Sequence, residues 1–130
     1  MKASATRTGG FTHRIDVRHH SLTADEPRDL GGDDQGPNPQ ELLAASLAAC
    51  TAITIEMYAE RKGWDLGDVE VDCQYEQAER GGTTTFTVTL KLPSALSDEQ
   101  IERIETIAAK CPVHRTLEGG SAFEQRVERR

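Results

Sequence analysis

Two cysteines stand in this chain where packing alone would not require them. Cys50 lies in the run Gly36-Pro37-Asn38-Pro39-Gln40-Glu41-Leu42-Leu43-Ala44-Ala45-Ser46-Leu47-Ala48-Ala49-Cys50-Thr51, and Cys111 opens Cys111-Pro112-Val113-His114-Arg115. Each follows a helical pattern, with turn or breaker residues and charged groups nearby in sequence. A thiolate is a nucleophile, and a second thiol can condense with the sulfenic acid that the first one forms. Thiols this far apart in sequence become a redox pair only where the fold joins them, and that pairing is the central functional expectation.

The two differ in local setting. Cys50 falls about three turns inside a helix, too deep for that helix's own N-terminus to favour a thiolate. Any activating charge must come from elsewhere in the fold, and a buried core thiol is the competing reading. Cys111 is expected at a helix C-terminus, where the dipole disfavours an anion. That suits a second, resolving thiol better than an attacking one, and again a buried thiol is the alternative. Cys73 alternates in register with Val69, Val71 and Tyr75 and reads as core.

Other chemistry-bearing residues give weaker signals. His114 follows Cys111 by three, a Cys-x-x-His spacing that could contribute to a metal site, but no second paired motif accompanies it. Turn or surface roles suit His114 and His19-His20 better. Arg115, Arg14 and Arg18 are each able to supply positive charge. Glu41 fits a structural role as the helix-capping partner of Asn38. At 1.5 Å per residue it stands about 13.5 Å before Cys50 on the same helix and on the opposite face. Any help from Glu41 is therefore expected to reach the cysteine of a partner subunit.

These groups need elements to hold them. Two strands, 3–8 and 11–19, are joined at Gly9-Gly10, a hairpin signal. A short strand near Leu22 to Asp25 and a loop over residues 26–37, rich in Asp, Gly and Pro, follow. Asn38 caps a helix whose first position is Pro39, and the helix runs to about Lys62 and stops at Gly63. From Leu42 to Ile55 it is apolar or small on nearly every side, so it is expected to be buried all round and to need a partner chain. Alternation gives strands from Val69 to Glu76 and from Thr83 to Leu92. Ser97 caps a second helix with Gln100 three residues on. Pro112 is expected to end that helix, and a last strand is expected near Phe123 to Val127. The order points to an α+β fold with antiparallel sheet in a single domain over residues 1–130.

Composition narrows the function further. The formal net charge is −7, from 22 acidic and 15 basic residues, which works against binding nucleic acid. No apolar run is expected to reach the roughly 18 residues of a membrane span, and the N-terminus lacks a signal-peptide pattern. A cytoplasmic protein with no membrane partner is expected. There a disulfide is catalytic or sensing rather than structural.

The Cys50 and Cys111 motifs, with their spacing and flanking strands, resemble the OsmC/Ohr family of osmotically inducible and organic-hydroperoxide-resistance proteins. The resemblance covers nearly the whole chain. It implies an intertwined α+β homodimer and a thiol peroxidase that uses no metal or other cofactor such as flavin. It assigns Cys50 as the nucleophile, Cys111 as the resolving thiol, an organic hydroperoxide as substrate and a dithiol as reductant. Glu41 enters as an accessory acid. Gln40 stands where the hydroperoxide-resistance branch has its glutamate, so the match is better to the wider OsmC-like branch. A non-enzymatic protein of the same fold, binding a small apolar ligand or sensing redox state, is the alternative.

Overall fold

Gly9-Gly10 turns the first hairpin, with Gly10 in the left-handed region at φ 54°. Strands β1 (Ser4–Gly9) and β2 (Thr12–Val17) pair antiparallel across it, with a register shift between Arg7 and Gly9. β2 then pairs antiparallel with β3 (His20–Ala24), Ile15 facing Leu22 and Val17 facing His20. The intervening turn places Arg18 at φ 55°. The computed structural model describes residues 1–130. They form two compact units, Met1–Ala45 and Ser46–Arg130, whose boundary falls inside the first α-helix.

The loop after β3 is organised around one buried carboxylate. Asp25 accepts hydrogen bonds from the Thr12 hydroxyl at 2.7 Å, the Glu26 N–H at 2.7 Å and the Gln35 N–H at 3.2 Å. The Thr12 bond, outweighing the opposing cost of burial, holds this carboxyl below its ordinary value. The Asp25 N–H donates to the Pro37 carbonyl at 3.2 Å, closing the loop.

Helix α1 (Pro39–Lys62) starts and stops where the sequence signals lie. Asn38 Oδ1 accepts from the Glu41 N–H at 2.8 Å, and Glu41 Oε1 accepts from the Asn38 N–H at 2.9 Å, a reciprocal capping box. Gly63, at φ 70°, ends the helix. One chain alone does not cover the helix: Leu47, Thr51, Ile55, Tyr58 and Ala59 are buried, but Ile53 and Met57 are 54% and 57% exposed. An apolar composition does not fix how many faces one protomer can cover. The expectation that no apolar run is long enough for a membrane span needs correction: by length and composition α1 is apolar enough to cross one, because no charged residue lies between Leu42 and Ile55.

In the second unit β4 (Glu70–Glu76) and β5 (Thr85–Lys91) form a two-stranded antiparallel sheet. Both strands alternate between exposed and half-buried positions, as their sequences require. Tyr75 pairs with Phe86, their rings stacked at 4.9 Å. Helix α2 (Asp98–Ala108) begins at a second capping box between Ser97 and Gln100. It buries Ile104 and Ala108 against Ile55, Ala59 and Leu66, with Trp64, Leu90 and Leu92 packed around them. Arg103 Nε donates to the Tyr58 hydroxyl at 3.0 Å and ties α2 to α1.

The C-terminal end differs from expectation. Pro112 does not merely stop a helix; it occupies the first position of another, α3 (Pro112–Gly119). Proline's fixed φ and missing N–H suit a helix start as well as a stop. The strand expected over 123–127 does not form. Phe123 and Val127 are 90% and 95% exposed, because no neighbouring strand pairs with them to bury their apolar face.

Candidate functional site

Three elements of the second unit converge on two sulfurs. Cys50 projects from α1, and Cys111 sits between α2 and α3. The fold brings these thiols close enough together for Cys111 to raise the titration of Cys50. Both are free thiols, Cys111 fully buried and Cys50 half-buried.

Cys111 is the N-cap of α3, and its Sγ accepts from the His114 N–H at 3.2 Å. This overturns the expectation that it faces the C-terminal end of a helix. α2 has already ended at Ala108, and the sulfur satisfies an otherwise orphaned N–H at the start of the next helix. The positive end of α3 favours negative charge there. The Thr51 hydroxyl, 2% exposed, makes a longer contact to the same sulfur at 3.8 Å. The N-terminus of α3 also serves Cys50, whose sulfur accepts from the Val113 N–H. The Thr54 hydroxyl, one helical turn further along α1, donates to it as well.

Burial nevertheless dominates at Cys50 and pushes its thiol above the ordinary value. The Val113 N–H and the Thr54 hydroxyl pull the other way, while the Cys111 sulfur raises it further. The pair therefore rests protonated at Cys50, and the local donors are positioned to stabilise negative charge as it develops.

A groove of about 480 Å³, lined by neither sulfur, lies along β5 and α2. Its apolar walls include Phe86, Val88 and Leu90 from β5 and Ile101 and Ala108 from α2. Thr51 and His114, members of the two thiol motifs, line the same groove, and Glu105 is the further titratable group there. His114 Nε2 lies 3.1 Å from Glu118 Oε2, one turn along α3.

The remaining candidates lie elsewhere. Glu41 is exposed in the first turn of α1, in the capping box with Asn38. Arg14 pairs with Asp16 at 3.0 Å on β2, Arg18 occupies the β2–β3 turn, and Arg115 is exposed on α3. The rings of His19 and His20 lie tilted against each other at that same turn, their centroids 4.0 Å apart. Cys73 is half-buried on β4 opposite Val88. Sequence reasoning missed Thr51, Thr54 and the N–H groups of Val113 and His114. For the last two the sequence held only an ambiguous signal, since Pro112 fits the first position of a helix as well as the end of one.

Comparison with known proteins bears on this arrangement. The model of the family described as OsmC-like protein matches residues 32–126, a span that includes both thiol motifs. An uncharacterized protein of Haloferax volcanii is 29% identical over 119 residues, covering 90% of this chain and 86% of its own. The structure of an OsmC-like protein from Mycoplasma pneumoniae shares the fold, with a TM-score of 0.76 at 20% identity, over 91% of this chain and 86% of that one. An organic hydroperoxide resistance protein OsmC from Legionella pneumophila is 25% identical with a TM-score of 0.66, over 92% and 90% of the two chains.

Proposed function

Because this chain belongs to the OsmC-like protein family, we propose that it is a cytoplasmic thiol-dependent peroxidase acting on organic hydroperoxides. The observation that carries the reading is the proximity of Cys50 and Cys111, set against the N-terminus of α3. Cys50 is the more accessible sulfur and the better placed to meet a substrate. Its thiolate attacks the distal peroxide oxygen, the O–O bond breaks, and an alcohol leaves. Cys111 then attacks the sulfur of the Cys50 sulfenic acid, expelling water and closing a disulfide. A dithiol reductant restores both thiols by exchange. The groove along β5 and α2, which Thr51 and His114 of the thiol motifs also line, supports an organic rather than a small inorganic peroxide, because Phe86, Val88, Leu90 and Ile101 offer a hydrocarbon chain apolar contacts.

Two further parts belong to the reading. The exposed Ile53 and Met57 on α1 support a homodimer in which a second copy covers that face. Glu41, in such a dimer, assists the Cys50 of the partner subunit. The decisive experiment is consumption of an alkyl hydroperoxide by the purified protein with excess dithiol, with light scattering on the same sample. Turnover at a rate above that of free cysteine is expected, from a dimer. A protein that leaves the peroxide unconsumed is a binding or sensing member of the fold instead. A mixed dimer of Glu41→Ala and Cys50→Ser chains tests Glu41: one working site per dimer is expected, and activity no better than the Glu41→Ala homodimer removes that role.

A further inference from the structure

Helix α3 is held by little besides its first turn. None of its side chains is fully buried, whereas α2 buries Ile104 and Ala108. Its eight residues are also too few for a helix to be stable by itself in water. Pro112, at the first position, has no N–H, so the N–H groups of Val113 and His114 are left to be satisfied from outside the helix. The His114 N–H donates to Cys111 Sγ at 3.2 Å, and the Thr51 hydroxyl of α1 reaches the same sulfur at 3.8 Å. The cap of α3 is therefore a sulfur, where the favoured capping side chains use an oxygen that carries no redox chemistry.

We propose that α3 is a redox-sensitive element: closing a Cys50–Cys111 disulfide removes its cap and loosens its first turn. The inference rests on the redox pairing of these two thiols, and it holds for a sensor as well as for a peroxidase. In the reduced protein Cys111 Sγ keeps its lone pairs for the His114 N–H. On closure Cys111 Sγ attacks the sulfur of the Cys50 sulfenic acid, the S–O bond breaks, and the thiol proton leaves with the hydroxyl group as water. One lone pair becomes the S–S bond, and the dihedral preference of a disulfide turns the sulfur toward Cys50. What remains is a neutral, weakly accepting sulfur with no anionic form to meet the positive end of the helix. The His114 N–H becomes an unpaired donor in a helix that no buried side chain anchors. Cys111 itself is 0% exposed, but Arg115, Thr116 and Glu118 of α3 face solvent. A buried redox event is thereby written on the surface. The plainer role is a sulfur that caps α3 equally well in both oxidation states.

Amide hydrogen exchange, followed residue by residue by NMR, separates the two. The protein is compared reduced and after diamide, which takes two electrons and two protons from a thiol pair without any peroxide. Exchange at His114 and Arg115 is expected to speed up about five-fold in the oxidised wild type, the scale on which loss of a cap acts, with the amides of α2 unchanged. Cys111→Ser keeps a capping oxygen and closes no disulfide, so α3 should stay protected with and without diamide. Cys111→Ala has no cap and should exchange fast in both. A wild-type disulfide with α3 still fully protected overturns the proposal. So does acceleration shared equally by α2, or a Cys111→Ala protein as well protected as the reduced wild type. If diamide closes no Cys50–Cys111 bond, the redox pairing falls and the switch with it. Uncapping in a protein that leaves alkyl hydroperoxide unconsumed removes the peroxidase reading and keeps the switch.

Discussion

The three thiols of this chain occupy two regions that burial alone does not distinguish. Burial raises the thiol of Cys73 on β4 and that of Cys50 on α1 alike. What differs is the company each keeps. The Cys73 thiol donates weakly to the Gln74 carbonyl at 3.9 Å, and alternation places it simply as one half-buried position along a strand. Cys50 and Cys111 together face two backbone N–H groups, two threonine hydroxyls and each other. Donors that can stabilise an anion, not depth, separate a chemically poised sulfur from a packing residue.

Substitution of single thiols tests that contrast most severely. Cys50→Ser is expected to lower peroxide turnover by more than about 1,000-fold, the scale on which loss of a nucleophile acts. Cys73→Ser should stay within about two-fold of wild type, as expected for a residue outside the reacting group. Comparable losses in the two variants would erase the distinction between the regions. Cys111→Ser should still react once and stop at a sulfenic acid that a dimedone-type probe captures. If Cys111→Ser is inert while Cys50→Ser gives the trapped species, the nucleophile and resolver are reversed. In the wild type, one equivalent of peroxide followed by peptide mapping should give a Cys50–Cys111 disulfide within one chain, with Cys73 free.

A smaller effect appears in titration. The Cys111 sulfur contributes to raising Cys50, so Cys111→Ala should bring the Cys50 titration down while leaving Cys73 in place. Thiolate absorbance against pH measures both, with the wild-type steps belonging to the coupled pair. The same shifts set the sign of an alkaline effect on stability. A thiol whose folded pKa is raised contributes fully below its unfolded value, and the contribution is lost as pH rises through the folded one. Unfolding free energy should therefore fall on the alkaline side, less steeply in Cys50→Ser. An unchanged slope would mean that burial of Cys50 has little energetic weight. The smallest change is Thr51→Val, which removes one long contact to Cys111 Sγ. Its cost should be about 1 kcal/mol or less in stability, with a few-fold slowing of disulfide closure seen by stopped flow.

Local rules carried much of the fold. Alternation located β4 and β5, and Asn38–Glu41 and Ser97–Gln100 fixed the starts of α1 and α2 to the residue. The hairpin at Gly9-Gly10 was equally plain. What failed was ambiguous locally. Pro112 reads as a stop or a start, and only the presence of a further turn decides between them. Phe123 and Val127 carry a strand-like pattern that means nothing without a neighbouring edge. The two thiol motifs were legible as motifs. The donors around them were not, because Val113 acts through its backbone and Thr51 and Thr54 owe their roles to where α3 happens to meet α1. The groove has no sequence signature at all, since α2, β5 and the thiol motifs contribute to it from far apart in the chain.

The loop between β3 and α1 has the composition of a flexible tether, yet its backbone is wedged. A side chain at Gly32 would run into the Glu26 carbonyl, and one at Gly36 into the Thr23 carbonyl. Each obstacle is main chain, which has no rotamer to yield. In a saturation mutagenesis library scored for soluble protein, these two positions should therefore tolerate almost no replacement. The neighbouring Asp33 should accept many, and Asp34, at φ 52°, chiefly Asn and Gly. A stretch that looks like filler by its letters is by its geometry among the least editable in the molecule.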